Sequence, residues 1–228
     1  MPTRFPGGLT TVTQTQTMGD FILPDPTTAH VYMEDFDNYV AGDWTVTASG
    51  TGSSDATQAL TDGDGGLLLL TNGTGDNGYI AMDKVGESFL MASGKKAWFK
   101  TRFKVNSATQ VDIVVGLQIT DTTPLAVSDG IFFAKADGST DITLEVEKNS
   151  TSTSTAVGTL ADDTFITLGW YYNGVDEIKA YVNDVQVATS AVTNLPDDEV
   201  LTVSFAVQNG EATAKTMTLD YILAAKER

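Results

Sequence analysis

From residue 96 onward, apolar and polar side chains alternate one for one in run after run. Between Lys96 and Val105, the positions Ala97, Phe99, Thr101, Phe103 and Val105 share one face, and Lys96, Trp98, Lys100, Arg102 and Lys104 share the other. A period of two puts alternate residues on opposite sides of an extended chain, so this segment predicts a strand with one buried face. Val111, Ile113, Val115, Leu117 and Ile119 repeat the pattern, and Ile142, Leu144 and Val146 do so opposite Thr143, Glu145 and Glu147. Phe165 to Tyr172 is apolar on both sides, which predicts a central strand. Ile178, Ala180 and Val182 run into Asn183-Asp184 and then Val185-Gln186-Val187, the pattern of a hairpin closed by a two-residue turn. Leu201 to Val207 and Met217 to Leu223 alternate in the same way.

The first half is sparser. Val31 to Phe36 and Asp43 to Thr47 predict two strands. Residues 48–65 are rich in Gly, Ser, Thr and Asp and predict loop. Gly66 to Thr71 is a short continuous apolar run, consistent with a strand buried on both faces. Asn72-Gly73 marks a turn, and Gly78 to Met82 resumes. The tract Ser150-Thr151-Ser152-Thr153-Ser154-Thr155 predicts an exposed low-complexity loop. No helical period outlasts a turn, and no unit of 20–50 residues repeats, which disfavours solenoids and propellers. About twelve short strands between turn clusters predict an all-β fold, an antiparallel two-sheet sandwich or jelly roll over residues 31–228.

Residues 1–30 read differently. Pro2, Pro6, Pro24 and Pro26 forbid a regular helix, and Phe5, Leu9, Met18, Phe21, Ile22 and Leu23 are the few side chains available for burial. This block predicts an extended N-terminal arm that gains order along a partner.

Composition narrows the function classes. The net charge of -17, from 30 acidic and 13 basic residues, repels nucleic acid and anionic membranes. Five of the bases gather at Lys95, Lys96, Lys100, Arg102 and Lys104. With no cysteine the chain has neither disulfides nor thiolate metal sites, which suits a reducing cytoplasm. No stretch approaches the roughly 20 apolar residues of a membrane helix, and Arg4 is not followed by the apolar segment of a secretory signal.

Candidate chemistry is thin. His30 is the one histidine, at the junction of arm and body, where a catalytic triad would lack rigid support; a solvent-facing position is expected. Glu145-Val146-Glu147 has the alternation of the Glu-x-Asp-x-x-Glu strand of sandwich glycosidases but lacks its third carboxylate. Asp62 with Asp64, Asp76 with Asn77, and Asp137 with Asp141 offer oxygen ligands of the calcium kind, but turns need these residues for backbone reasons. No catalytic residue, metal or cofactor is therefore expected. Asn72-Gly73-Thr74 and Asn149-Ser150-Thr151 match the glycosylation sequon and read as polar turns. The basic strand offers Trp98, Lys100 and Arg102 as a partner contact or glycan platform, or else as a solvated outer face.

The opening Met1-Pro2-Thr3-Arg4-Phe5-Pro6-Gly7-Gly8, and Leu23-Pro24-Asp25-Pro26-Thr27 followed by Val31-Tyr32-Met33-Glu34-Asp35-Phe36-Asp37, resemble segments of tailed-bacteriophage virion structural proteins. The body resembles the concanavalin A-like, laminin-G-like jelly roll in Glu34-Asp35-Phe36-Asp37, Asp43-Trp44-Thr45-Val46, the Ala180 to Val187 hairpin and Leu219-Asp220-Tyr221-Ile222-Leu223. The resemblance implies a non-enzymatic viral protein, a capsid decoration or cement protein on the virion surface, assembled in the host cytoplasm. Its arm would meet the major capsid protein through Arg4, Phe5, Leu9, Phe21, Ile22 and Leu23, and it would self-associate, as a trimer. The alternative is a carbohydrate-binding module of a phage fibre or surface protein, with Trp44, Trp98 or Trp170 as stacking platform.

Overall fold

The computed structural model describes residues 27–50 and 52–228, and in them the alternating runs pair into two antiparallel sheets of eight strands each. The first sheet holds β1 (Ala29–Glu34), β3 (Thr57–Thr61), β4 (Leu67–Thr71), β7 (Ala97–Val105), β12 (Ile166–Tyr172), β13 (Glu177–Val182), β14 (Val185–Ala191) and β16 (Thr216–Glu227). Its order is β14-β13-β12-β7-β16-β4-β3. The long β16 uses one edge twice, pairing with β4 through Thr216–Leu219 and with β1 through Ile222–Glu227. A bulge at Asp220 shifts its register against β7 and turns that carboxylate toward the Arg102 guanidinium.

The second sheet holds β2 (Trp44–Ser49), β5 (Tyr79–Lys84), β6 (Phe89–Leu90), β8 (Val111–Gln118), β9 (Gly130–Lys135), β10 (Asp141–Lys148), β11 (Thr151–Thr159) and β15 (Val200–Asn209). Its order is β11-β10-β9-β8-β15-β5-β2, with β6 on β15 beside β5. The inner faces meet in one core. Phe99, Phe103, Leu168, Trp170, Leu219 and Ile222 from the first sheet pack on Ile80, Met82, Val115, Phe133, Leu144 and Phe205 from the second. The alternation read from Ala97 to Val105 and from Ile142 to Val146 is the alternation of core and solvent faces.

Some expectations fail for physical reasons. From Thr151 on, the Ser150–Thr155 tract is β-strand, the start of β11, and only Ser150 belongs to the turn before it. Threonine is β-branched and suits a pleated edge whose side chains face water, so low complexity misleads here. Residues 57–61, placed in loop, form β3. The apolar run at Leu67 to Leu70 buries only Leu68 and Leu70 fully, because these two face the core between the sheets while Leu67 and Leu69 lie on the outer face. The Asn183-Asp184 hairpin is as expected, with both residues at positive φ (50° and 65°).

Polar side chains tie the loops at one end. Asn72 Nδ2 donates to Val207 O (2.9 Å) and Asn209 Oδ1 (3.0 Å). Asn209 Nδ2 donates to Gly73 O and Gly75 O (2.7 and 2.8 Å), and its Oδ1 also accepts from Lys215 N. Both asparagines are buried, so this network replaces the water lost by three chain segments. Gly73 packs so closely there that a Cβ on it would lie 1.9 Å from Gly52 O.

Candidate functional site

The outward residues of β7 and its neighbours form the floor of an open groove of about 1250 Å³ on the first sheet. Strand register decides who stands beside whom. Trp98 lies between Tyr171 of β12 and Ala225 of β16, and Lys100 lies between Gly169 and Leu223. Tyr181 of β13 pairs with Gly169, and Val31 of β1 with Ala225. The depression has depth because small residues, Gly169 and Ala225, alternate with large ones across these rows. A Cβ on Gly169 would come 3.0 Å from Phe99 O as well as raising the floor.

Trp98 and Tyr171 form the apolar centre. Their ring centroids are 5.5 Å apart with planes inclined by 32°, and Trp98 is 36% exposed. Charged groups surround them. Lys100 Nζ meets Asp184 Oδ1 at 2.6 Å, and this bond raises the lysine pKa. Lys96 N donates to Glu227 Oε2 (2.9 Å), Lys95 Nζ donates to the Arg228 carbonyl, and Arg228 Nε donates to Ala29 O (3.3 Å).

Of the residues predicted as a surface platform, Trp98 and Lys100 line the groove. Arg102 is on the same face but engaged elsewhere, paired with Asp220 and lying 4.2 Å over the Phe165 ring. Trp44 and Trp170, offered as alternative platforms, are core residues 6% and 2% exposed. Arg4, Phe5, Leu9, Phe21, Ile22 and Leu23 lie outside the described residues. Tyr171, Tyr181 and Arg228 were missed. Tyr171 sits in a run read as apolar on both faces; its hydroxyl is no guide, since the neighbouring Tyr172 is buried, and the signal that could have marked its outward side is Thr167, the polar residue of the same parity.

His30 is half-buried, so the expected solvent-facing position is met only in part. It sits within β1, its ring 4.9 Å from Phe89 and its Nε2 3.0 Å from Ser88 Oγ. Partial burial lowers its pKa, and the charges of Arg228 and Lys226 lower it further.

The outer face of the second sheet holds the other polar groups of interest. Glu145 accepts bonds from Ser152 and Ser154, and Glu147, two residues on, has its pKa raised by burial and by Glu145 and Asp129. The connection after β8 folds back over this face. Leu125 and Val127 pack with Val114 and Phe132, and Gln118 Nε2 donates to Pro124 O (3.2 Å). On the same face Asp83 is 2% exposed, and neither carboxylate oxygen has a hydrogen-bond partner among the described residues. Burial raises its pKa to about 6; the Ser204 hydroxyl opposite eases this in part, while Asp121 and Glu87 add to it. The described residues contain no group of three carboxylates or imidazoles placed to hold a metal ion.

No protein-family model matches the chain, and no curated protein does. Solved structures do. A protein of unknown function from Shewanella oneidensis MR-1 superposes with a TM-score of 0.62 at 15% identity, over 88% of this chain and 87% of that one. An endo-1,3-beta-glucanase from Streptomyces sioyaensis gives 0.59 at 14% identity, over 90% and 99%. Peanut lectin gives 0.56 at 9% identity, over 87% and 97%. At such identities the likeness concerns the fold, and a viral origin gains no support from it. The expectation of a protein without enzymatic activity does not stand, since an architecture that serves a glucanase as well as a lectin excludes neither role. The chain carries the concanavalin A-like jelly-roll fold.

Proposed function

We propose that this protein recognises carbohydrate through the groove of the first sheet. The observation that carries the reading is the exposed Trp98–Tyr171 pair, set in a depression with polar groups on its rim. Aromatic faces offer a flat apolar surface to the C–H face of a sugar ring, while the rim supplies hydrogen bonds to hydroxyls. Lectin and glucanase neighbours of the same fold support the reading without assigning a ligand. The virion-decoration reading, with its capsid partner, trimer and virion location, rests on the resemblance alone and draws on an arm mostly outside the described residues.

A glycan array followed by titration calorimetry on the best hit tests the proposal. Trp98→Ala is expected to weaken binding about tenfold or more, as loss of a stacking surface worth about 1–2 kcal/mol implies, while leaving the fold intact. A Trp98→Ala protein that binds the hit as tightly as the parent would refute this site. Product analysis of the same mixtures reads out any cleavage.

A further inference from the structure

The groove runs against the charge of the molecule that contains it. The chain has 30 acidic and 13 basic residues, yet four cations line the groove, Lys95, Lys96, Lys100 and Arg228, against two carboxylates, Asp184 and Glu227. We propose that the groove is built for an anionic oligosaccharide, one bearing carboxylates on its sugar rings. The inference rests on the carbohydrate reading above and names its chemical class.

Position on the strand supports it. Lys96, just before β7, and Trp98 and Lys100 within it alternate along the extended chain and line the groove, so a lysine backbone position lies on each side of Trp98, about 7 Å away along the strand. A sugar stacked on Trp98 places its ring substituents within reach of both. No ion pair holds the Lys96 ammonium among the described residues. Lys100 has a partner, but Asp184 stands in an open turn with its side chain 72% exposed, and an exposed pair of that kind contributes little. A ligand carboxylate replaces Asp184 at small cost. A long nucleic acid is disfavoured as occupant by the net charge of -17, whereas a short oligosaccharide meets only the local cations.

The test compares three probes on the full chain by calorimetry: cellohexaose, the same hexamer oxidised to glucuronate at every C6, and the hexamer sulfated at C6. At about 50 mM salt the uronate hexamer is expected to bind about tenfold more tightly than cellohexaose, and the advantage to shrink severalfold at about 500 mM. Lys96→Gln is expected to cut the advantage, lowering affinity for the uronate hexamer severalfold more than affinity for the neutral one. Asp184→Asn, which keeps a residue at home in the left-handed turn, is expected to enlarge it by freeing Lys100. Equal affinity for the neutral and uronate hexamers overturns the inference and leaves carbohydrate recognition standing. A gain with sulfate alone overturns the assignment to carboxylate. Failure to bind any sugar, neutral or acidic, overturns both readings.

Discussion

Asp83 gives a quantitative test of how the second sheet is packed. Its carboxyl is sealed on the outer face of β5 without a hydrogen bond among the described residues, and its pKa is raised from 3.8 to about 6. A carboxyl that holds its proton more tightly folded than unfolded stabilises the fold in acid. That contribution is complete below the unfolded pKa and is lost as the pH rises through the folded one. The gap corresponds to about 3 kcal/mol in all, of which about 2 kcal/mol falls between pH 4 and pH 7. Asp83→Asn keeps the shape and removes the titration. Any cost of burying the amide is the same at every pH and cancels when the two proteins are compared. Urea unfolding of both at pH 4.0, 5.5 and 7.0 supplies the measurement. The variant is expected to gain about 2 kcal/mol relative to the parent between the ends of that range, on whatever offset it starts from. A constant offset across the three pH values would mean that Asp83 ionises freely in the folded protein, and the account of a sealed carboxyl would be wrong.

Other outcomes follow from the packing. Asn209→Ala removes the side-chain partner of Gly73 O and Lys215 N and one of the two partners of Gly75 O and of the Asn72 amide, and is expected to cost about 3 kcal/mol in chemical unfolding, with faster amide exchange at residues 72–78. Gly73→Ala puts a methyl 1.9 Å from Gly52 O and is expected to lower stability by 2 kcal/mol or so, since backbone must move on both sides. Phe205→Ala empties a fully buried site beside Trp44 and Phe36 and is expected to cost about 3–5 kcal/mol, read as a lower urea midpoint.

Much of the architecture could be read from periodicity because this sandwich buries one face of each sheet. At Ala97 to Val105 every core residue is two positions from the next, and the sequence states the strand, its register and its inner face together. The same signal is silent where side chains on both faces meet water. β11 hides its strand in a run of Ser and Thr, and β3 buries too little to show a period. The groove was half legible. Trp98 stands out among lysines, but its partner Tyr171 is 73 positions away and reaches it only through the β7–β12 register. Asp83 is just one acid among 30 until the strands around it are placed. Local pattern shows which way a side chain points; what it points at depends on pairing between distant segments.

Strand β16 has three partners, as β15 does, with β7 along one side and β4 and β1 along the other. Since translation delivers residues 216–227 last among these four strands, β1 has no partner strand among the described residues until some 180 residues later have emerged. The nascent polypeptide must therefore hold Ala29–Glu34 and the edges of β4 and β7 uncovered by β16 while the ribosome works, a window in which the sandwich itself does not yet protect those strand edges.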